Sequence, residues 1–283
     1  MKLKDGTKVS YNDDTNSYVF DLKNARVKKI TSRMFPILLG KNEYQGIGYG
    51  VLDRVGLIDF EQIDAWYQIR GTVAEYFVGK YIQNMYQEKL GVELTMKHFT
   101  TKSVGFDQFG TNKKFGGVID WGISAPQEYR AVVEVKSKHI KHYDKIIKDK
   151  EAPEEEVLQG KYLSHLSKVD KLLMGYAFFT DEQEKKLQLG ENLLKDTQDF
   201  DVEPFIKSVG LRFEDVVIGV LRFDIDHEEV ERDMETAYDN LHRIIGLGEI
   251  HEIHFKDPEK AELNFLIEED SGVKVYSEES LPF

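Results

Sequence analysis

The order of apolar and polar positions along the chain predicts alternating short strands and amphipathic helices. Near the start, Leu3-Lys4 and Thr7–Tyr11 read as strands about a two-residue turn at Asp5-Gly6, with Tyr18-Val19-Phe20 as a further strand after the polar stretch 12–17. From Ile30 the spacing becomes helical. Thr31 or Ser32 is the expected N-cap, Met34, Ile37 and Leu38 are the apolar positions, Pro36 falls in the early turns and Gly40 is the stop. A longer helix is expected over 63–90, ended by Gly91, with Phe77, Tyr81, Ile82 and Met85 on its apolar stripe.

The middle of the chain predicts strands at Phe115–Ile123 and Tyr129–Lys136, joined by a turn that begins Ser124-Ala125-Pro126-Gln127. Ala131-Val132-Val133 is apolar without alternation, as in a strand covered on both faces. Further strands are expected at Leu173–Phe179 and Val216–Phe223, and helices at Glu154–Val169 and Glu228–Ile245. Residues 181–210 are polar and loosely helical and read as an insertion. Glu249–Phe255 and Leu263–Ile267 are short strand candidates in a tail of unassigned role, and no internal repeat is present.

Composition narrows the class. At 283 residues, 41% hydrophobic and 12% aromatic, the chain can bury a sizeable core. The absence of cysteine removes disulfides, thiol catalysis and cysteine-ligated zinc or iron-sulfur clusters, so any metal must sit on carboxylates, carbonyls or imidazoles. No apolar stretch approaches the ~20 residues of a membrane span, and no apolar signal region follows Met1, so a soluble, cytoplasmic protein is expected. A net charge of −13 argues against a nonspecific polyanion binder. The motifs point the other way.

Gly116-Gly117-Val118-Ile119-Asp120 is followed, after thirteen residues, by Glu134-Val135-Lys136. Strand alternation sends Glu134 and Lys136 to one face, and the intervening turn returns the chain so that Asp120 lies near Glu134. Two adjacent carboxylates repel unless a cation lies between them, which makes them a hard-metal site, with Lys136 able to hold a water beside it. An E-x-K pair is common on edge strands. What narrows this one is its place at the end of an apolar strand, behind Gly-Gly-x-x-Asp. On the upstream helix, Gly71 and Gly79 lie four residues on either side of Glu75, a face that something must approach closely. Two helical glycines cost about 2 kcal/mol against alanine, so they need a reason. Downstream, Gln159 and Tyr162 share a helix face, and 136–150 carries six lysines and two histidines against two aspartates.

These residues resemble the PD-(D/E)xK nuclease superfamily, with Asp120 as first acid, Glu134-Val135-Lys136 as the E-x-K element and Glu75 in Arg70-Gly71-Thr72-Val73-Ala74-Glu75 as the helical glutamate. Glu156-Val157-Leu158-Gln159-Gly160-Lys161-Tyr162 resembles the glutamine motif of RecB-type and lambda-type exonucleases. Arg26, followed by Ile30-Thr31-Ser32-Arg33, Gly40 and Tyr44, resembles the opening of the YqaJ-type viral recombinases, the group of phage lambda exonuclease. The resemblance implies an α/β restriction-endonuclease-like core, a central mixed sheet flanked by helices. The expected division of the chain is 1–25 as a hairpin module packed on the core, 26–248 as the nuclease domain with an insertion at 181–210, and 249–283 as a C-terminal extension without a counterpart in the family.

The same resemblance implies an exodeoxyribonuclease that degrades linear double-stranded DNA, 5′ to 3′, to give single-stranded tails for phage-type recombination. Glu75, Asp120, Glu134, Lys136 and Gln159 would be the catalytic set. Glu75, Asp120, Glu134 and the Val135 carbonyl would hold one or two Mg²⁺ or Mn²⁺ ions, with no iron-sulfur cluster and no nucleotide cofactor. Arg26, Thr31, Ser32 and Arg33 would receive the 5′-phosphate, and Tyr162, Lys138 and Lys141 would contact DNA. Expected partners are DNA ends, a single-strand annealing protein and two further copies in a homotrimeric ring, with no membrane; for a phage-encoded chain the site of action would be the host cytoplasm. The alternatives are an endonuclease of the same superfamily, restriction-like or RecB-like, and a protein that binds DNA ends without cutting. His251-Glu252-Ile253-His254 lacks the spacing of a zinc helix.

Overall fold

The computed structural model describes residues 2–4, 7, 9–12, 14, 17–22, 24–59, 64–91, 94–124, 130–197 and 200–250. In chain order the elements are β1 (Lys2–Leu3), β2 (Val9–Asn12), β3 (Ser17–Phe20), β4 (Ile30–Thr31), α1 (Met34–Leu38), α2 (Ile47–Arg54), β5 (Ile58–Asp59), α3 (Ala65–Leu90) and β6 (Thr95–His98). They continue with α4 (Thr101–Val104), β7 (Phe115–Gly116), β8 (Trp121–Ser124), β9 (Arg130–His139), α5 (Glu154–Leu166), β10 (Lys171–Phe179) and α6 (Asp181–Gly190). The remainder are α7 (Val202–Ser208), β11 (Val217–Asp224), α8 (His227–Leu247) and β12 (Glu249–Ile250). Two compact units result: Gln62–Gln108 with Gly117–His227, and Met1–Glu61 with Phe109–Gly116 and Glu228–Phe283. These boundaries differ from the 1–25, 26–248 and 249–283 division expected of the sequence.

The larger unit is built on a mixed five-stranded sheet in the order β11-β10-β9-β8-β6. β9 and β10 are parallel, and every other neighbouring pair is antiparallel. Parallel neighbours cannot be joined by a hairpin, and α5 supplies the crossover. Alternation then sorts the side chains. Ala131, Val133 and Val135 of β9 and Leu173, Ala177 and Phe179 of β10 join the apolar stripe of α3, which includes Ile69, Val73, Phe77, Val78 and Ile82. Leu172 and Met174 face α5, where they meet Gly160. The sheet is thus covered on both faces, which is why eight consecutive residues of β10, Leu172–Phe179, are buried. Gly175 meets Val78 of α3 so closely that a Cβ there could not fit.

The helix expected to 90 ends there, with Gly91 in the left-handed region at φ +60° that glycine adopts without penalty. Of its expected stripe, Phe77 and Ile82 are fully buried, while Tyr81 and Met85 are half-buried. The expected strand Phe115–Ile123 is broken between β7 and β8, and the helix after Glu154 stops at Leu166. Residues 181–210 are a built part of this unit. Thr180 and Gln183 form a reciprocal cap on α6, and Leu187, Phe205 and Ile206 enter the same apolar cluster as the α3 stripe.

In the other unit, β2 and β3 form the hairpin, and β12 pairs on the far side of β3. The expected strand about Leu3 pairs with β5 instead, so it is not the partner of Thr7–Tyr11; Asp5 and Gly6 lie outside the described residues. Ile30–Thr31 is a short parallel strand against Phe115–Gly116, so the helix begins later than expected, at Met34. Neither Thr31 nor Ser32 caps it: Arg33 holds the N-cap position in helical geometry with no side-chain cap. All five α1 residues are buried, and Gly40 ends the turn at φ +71°. Much of the expected inter-strand turn (125–129) and of the strand candidate 249–255, together with 263–267 and His251–His254, lies outside the described residues. Among the described residues no helix is long and apolar enough to cross a membrane.

Candidate active site

The ladder between β8 and β9 ends with Trp121 opposite Val133, and one step further along the same register Asp120 comes opposite Glu134. Beyond that point β8 no longer pairs with β9, and the Asp120 carboxylate takes over as acceptor: Val135 N–H donates to Asp120 Oδ2 at 2.6 Å. Phe99, just past β6, donates its N–H to the Asp120 carbonyl at 2.9 Å, so the residue is held by backbone on both sides. This is the juxtaposition the motif spacing implied, produced by a sheet that splits where the acids sit.

Glu134 is 6% exposed. Its Oε1 accepts from Lys136 Nζ at 2.9 Å, while Oε2 is buried with no hydrogen-bond partner. Lys136 Nζ also donates to Gln159 Oε1 at 2.8 Å. Gln159 reaches the strand because the next residue of α5, Gly160, lies against Leu172 and Met174; a Cβ there would come within 2.7 Å of Leu172. The charges are strongly interdependent. Burial, then the Glu134 and Glu75 carboxylates, push the Asp120 carboxyl well above the usual range, against the opposing pull of Lys136 and the Val135 N–H. Burial alone would lower Lys136, but Glu134, Asp120 and Glu156 outweigh it and raise the ammonium above its ordinary value.

Glu75 projects from α3, and its Oε2 lies 2.7 Å from His98 Nε2. The glycines flanking it have different roles. Gly79 is covered by the Trp121 indole, with which a Cβ would collide at 2.7 Å, whereas nothing lies within 4 Å of a Cβ at Gly71. Among the described residues no three His, Asp or Glu side chains converge as a ready-made metal cluster. Each acid has turned one oxygen to a protein donor. The donor set nevertheless fits a hard divalent cation: the Asp120 carboxyl, whose ionisation burial and the neighbouring Glu134 and Glu75 oppose, and a buried Glu134 oxygen left without a partner.

The sequence reading assigns no role to Glu156, Tyr176, His98 or Trp121. Glu156, 8% exposed, lies one helical turn before Gln159 and binds Lys138 Nζ at 2.6 Å. Its signal was available, since Lys136 and Lys138 share a strand face and Glu156 and Gln159 share a helix face. Lys138, expected on DNA, is thus held by Glu156. Tyr176, in register with Lys136 on β10, is fully buried; burial and then the Glu156 carboxylate push its hydroxyl's pKa up. His98 and Trp121 are the other omission, and Gly79 beside Glu75 was the signal for an aromatic seat.

The lysine-rich segment after β9 is tightly folded. It runs through a 3₁₀ turn at Ile140–His142 and a π-helical turn at Asp144–Lys148, with Ile146 buried and Ile147 against Gly219. Lys141 and Lys145 are exposed, and Lys148 pairs with Asp144. Burial, then Lys141, Lys138, His139 and Lys145, lower the His142 pKa below its ordinary 6.5. Tyr162, expected at the DNA, has no exposed surface and is a core residue of α5. Arg26, Thr31, Ser32 and Arg33 all fall in the other unit. Arg26 and Arg33 are exposed, Thr31 belongs to β4, and the hydroxyl cap expected to help bind phosphate is not formed.

No family model and no curated protein matches the chain. Among solved structures it is similar to an alkaline exonuclease from Laribacter hongkongensis, with 14% identity and a TM-score of 0.46 over 80% of this chain and 94% of that one. The same exonuclease in complex with dAMP gives 15% identity and a TM-score of 0.45 over 78% and 91% of the two chains. A phage-related exonuclease from Haemophilus somnus gives 12% identity and a TM-score of 0.47 over 78% and 95%.

Proposed function

We propose that the chain is a divalent-metal-dependent exodeoxyribonuclease acting on linear duplex DNA, 5′ to 3′, to leave single-stranded tails for recombination. The observation that supports this most is the split between β8 and β9, where Asp120 and Glu134 are brought together beside a lysine fixed by Glu134 and Gln159. Glu75, Asp120, Glu134 and the Val135 carbonyl are the groups that would hold Mg²⁺ or Mn²⁺. Such an ion, when bound, supplies Lewis-acid polarisation of a phosphoryl oxygen and charge for the leaving group.

The protein's own part is positional. An ammonium has three N–H donors, and two of those on Lys136 are taken by Glu134 and Gln159. The third is left with a restricted direction and can hold the oxygen of an attacking water or of the phosphate. The Gln159 amide, whose oxygen is occupied by Lys136, keeps its NH₂ for a phosphate oxygen. Lys141 and Lys145, exposed after the catalytic strand, supply the positive surface for the DNA backbone, and Arg26 and Arg33 are the guanidinium donors for a 5′-terminal phosphate. A homotrimeric ring and a single-strand annealing partner belong to the same proposal; a sedimenting monomer at working concentration would remove the ring.

The test is Mg²⁺-dependent degradation of three substrates: a linear duplex with 5′-phosphate, the same duplex with 5′-hydroxyl, and a covalently closed circle. The expected order of rates is phosphate, then hydroxyl, with the circle intact. Cutting the circle as fast as the linear form would establish an endonuclease instead. End binding with no nucleotide release under Mg²⁺ or Mn²⁺ would establish the non-cleaving alternative.

A further inference from the structure

We propose that His98 is a positioning residue that sets the Glu75 carboxylate for the metal centre, an inference that rests on the metal-dependent reading above. Glu75 stands on a helix, whereas Asp120 and Glu134 stand on strands of the sheet that helix packs against. A long side chain on a helix samples several rotamers, so its carboxylate is placed only if something holds it. The last residue of β6 does so: His98 Nε2 lies 2.7 Å from Glu75 Oε2.

The imidazole is itself fixed on its other side. His98 is the cross-strand partner of Trp121, and the two rings stack at 4.3 Å between centroids with 21° between planes. The indole in turn lies on Gly79, one helical turn beyond Glu75, where the missing side chain gives it room. The contacts close a circuit that leaves α3 at Gly79, passes through Trp121 and His98, and returns to α3 at Glu75. The residue after His98, Phe99, donates its backbone N–H to the carbonyl of Asp120 at 2.9 Å. One strand end therefore ties down two acids, Glu75 by an imidazole and Asp120 by a peptide. An outer-sphere histidine that orients a carboxylate ligand typically carries a ~10–100-fold share of metal affinity. Removing the Glu75 contact should leave the acid in place and let it wander.

The test compares wild type, His98→Phe and His98→Gln. Phenylalanine keeps the flat ring on Trp121 and loses the nitrogen; glutamine loses the ring and keeps a donor of similar reach. Mn²⁺ binding is measured by calorimetry without DNA, alongside the metal concentration for half-maximal cleavage and the rate at saturating metal. His98→Phe is expected to weaken Mn²⁺ binding at least ~10-fold and to raise the half-saturating metal concentration in parallel, with most of the rate recovered at saturation. His98→Gln is expected to stay within about threefold of wild type by the same retained contact. His98→Phe with wild-type Mn²⁺ affinity would overturn the inference, as would His98→Gln no better than His98→Phe. If His98→Phe fails to fold, His98→Ala takes its place in the same comparison. A wild-type protein that binds no Mn²⁺ would overturn the metal-dependent reading itself, a result distinct from an affinity that His98 does not influence.

Discussion

Alanine at Gly71 and at Gly79 is the same chemical change on the same helix, and the structure predicts different outcomes for the two. In a helix interior the exchange of glycine for alanine is worth about 1 kcal/mol in favour of folding, because less backbone entropy is lost. At Gly71 nothing lies within 4 Å of the new methyl, so that gain should appear undiminished. At Gly79 the methyl would stand 2.7 Å from Trp121 Cζ2 and 2.9 Å from Cε2. The indole cannot simply swing aside, because it is stacked on His98 and its strand is paired on both edges. Overpacking of this kind costs about 1–3 kcal/mol, so the helix gain is cancelled or exceeded and the two variants should differ by that amount. Urea unfolding followed by far-UV circular dichroism, with unchanged slopes, measures the difference directly. A Gly79→Ala protein stabilised as much as Gly71→Ala would refute the seating of Trp121. Because the Gly71 side of Glu75 is open, Gly71→Ala also reports on close approach by DNA: a more stable protein that cleaves more slowly is expected.

Lys136→Ala should abolish cleavage while duplex binding in Ca²⁺ stays within about fivefold; it should also lower the unfolding free energy by about 1–3 kcal/mol, because Glu134 is left buried without its donor. A fully active Lys136→Ala enzyme would contradict the positional role given to the ammonium. The His142 pKa lies below 6.5 in the free protein, so the folded state takes up its proton less readily than the unfolded one; the stability associated with this group is intact above pH 6.5 and falls as the pH drops through that value towards the folded pKa. Histidine NMR titration should show this depression and its reversal when duplex binds, since phosphate would offset the surrounding lysines; an unmoved His142 would separate this segment from the DNA. Tyr162→Phe should leave duplex affinity unchanged within about twofold, as befits a ring with no exposed surface, and a large loss of affinity would restore the role that the sequence implied.

The long elements were legible because their signals are local. α3 has a 3.6-residue stripe and a terminal glycine, β10 is continuously apolar, and α8 alternates acidic and apolar positions closely enough to be delimited within two residues at each end. The centre was legible for the same kind of reason. Strand alternation alone puts Glu134 and Lys136 on one face, and a returning chain alone brings Asp120 alongside. What the sequence hid was set by partners distant along the chain. Ile30–Thr31 looked like a helix start because the Phe115–Gly116 strand that recruits it lies 85 residues further on. Leu3 looked like one arm of a hairpin, but its pairing is with Ile58. Tyr162 shares a helix face with Gln159 by spacing, yet the direction of its side chain depends on how α5 settles on β10. His98 carries no motif, and Glu156 only opens the segment around Gln159; both matter because of what they touch.

The net charge of −13 takes on a different meaning beside these placements. Carboxylates at Asp120, Glu134 and Glu156 are drawn in around Lys136 and Lys138, whereas Lys141 and Lys145, in the segment after β9, remain exposed. Global charge therefore says little about the surface that would meet DNA.

Release of acid-soluble nucleotide from a 5′-phosphorylated linear duplex by wild type and Asp120→Asn, each in Mg²⁺ and in EDTA, tests whether the Asp120–Glu134 pair holds a divalent ion for the cleavage of DNA. Release by wild type in Mg²⁺ alone, with Asp120→Asn inactive though folded, is the predicted result. Release that persists in EDTA, or an Asp120→Asn protein as active as wild type, would contradict the account.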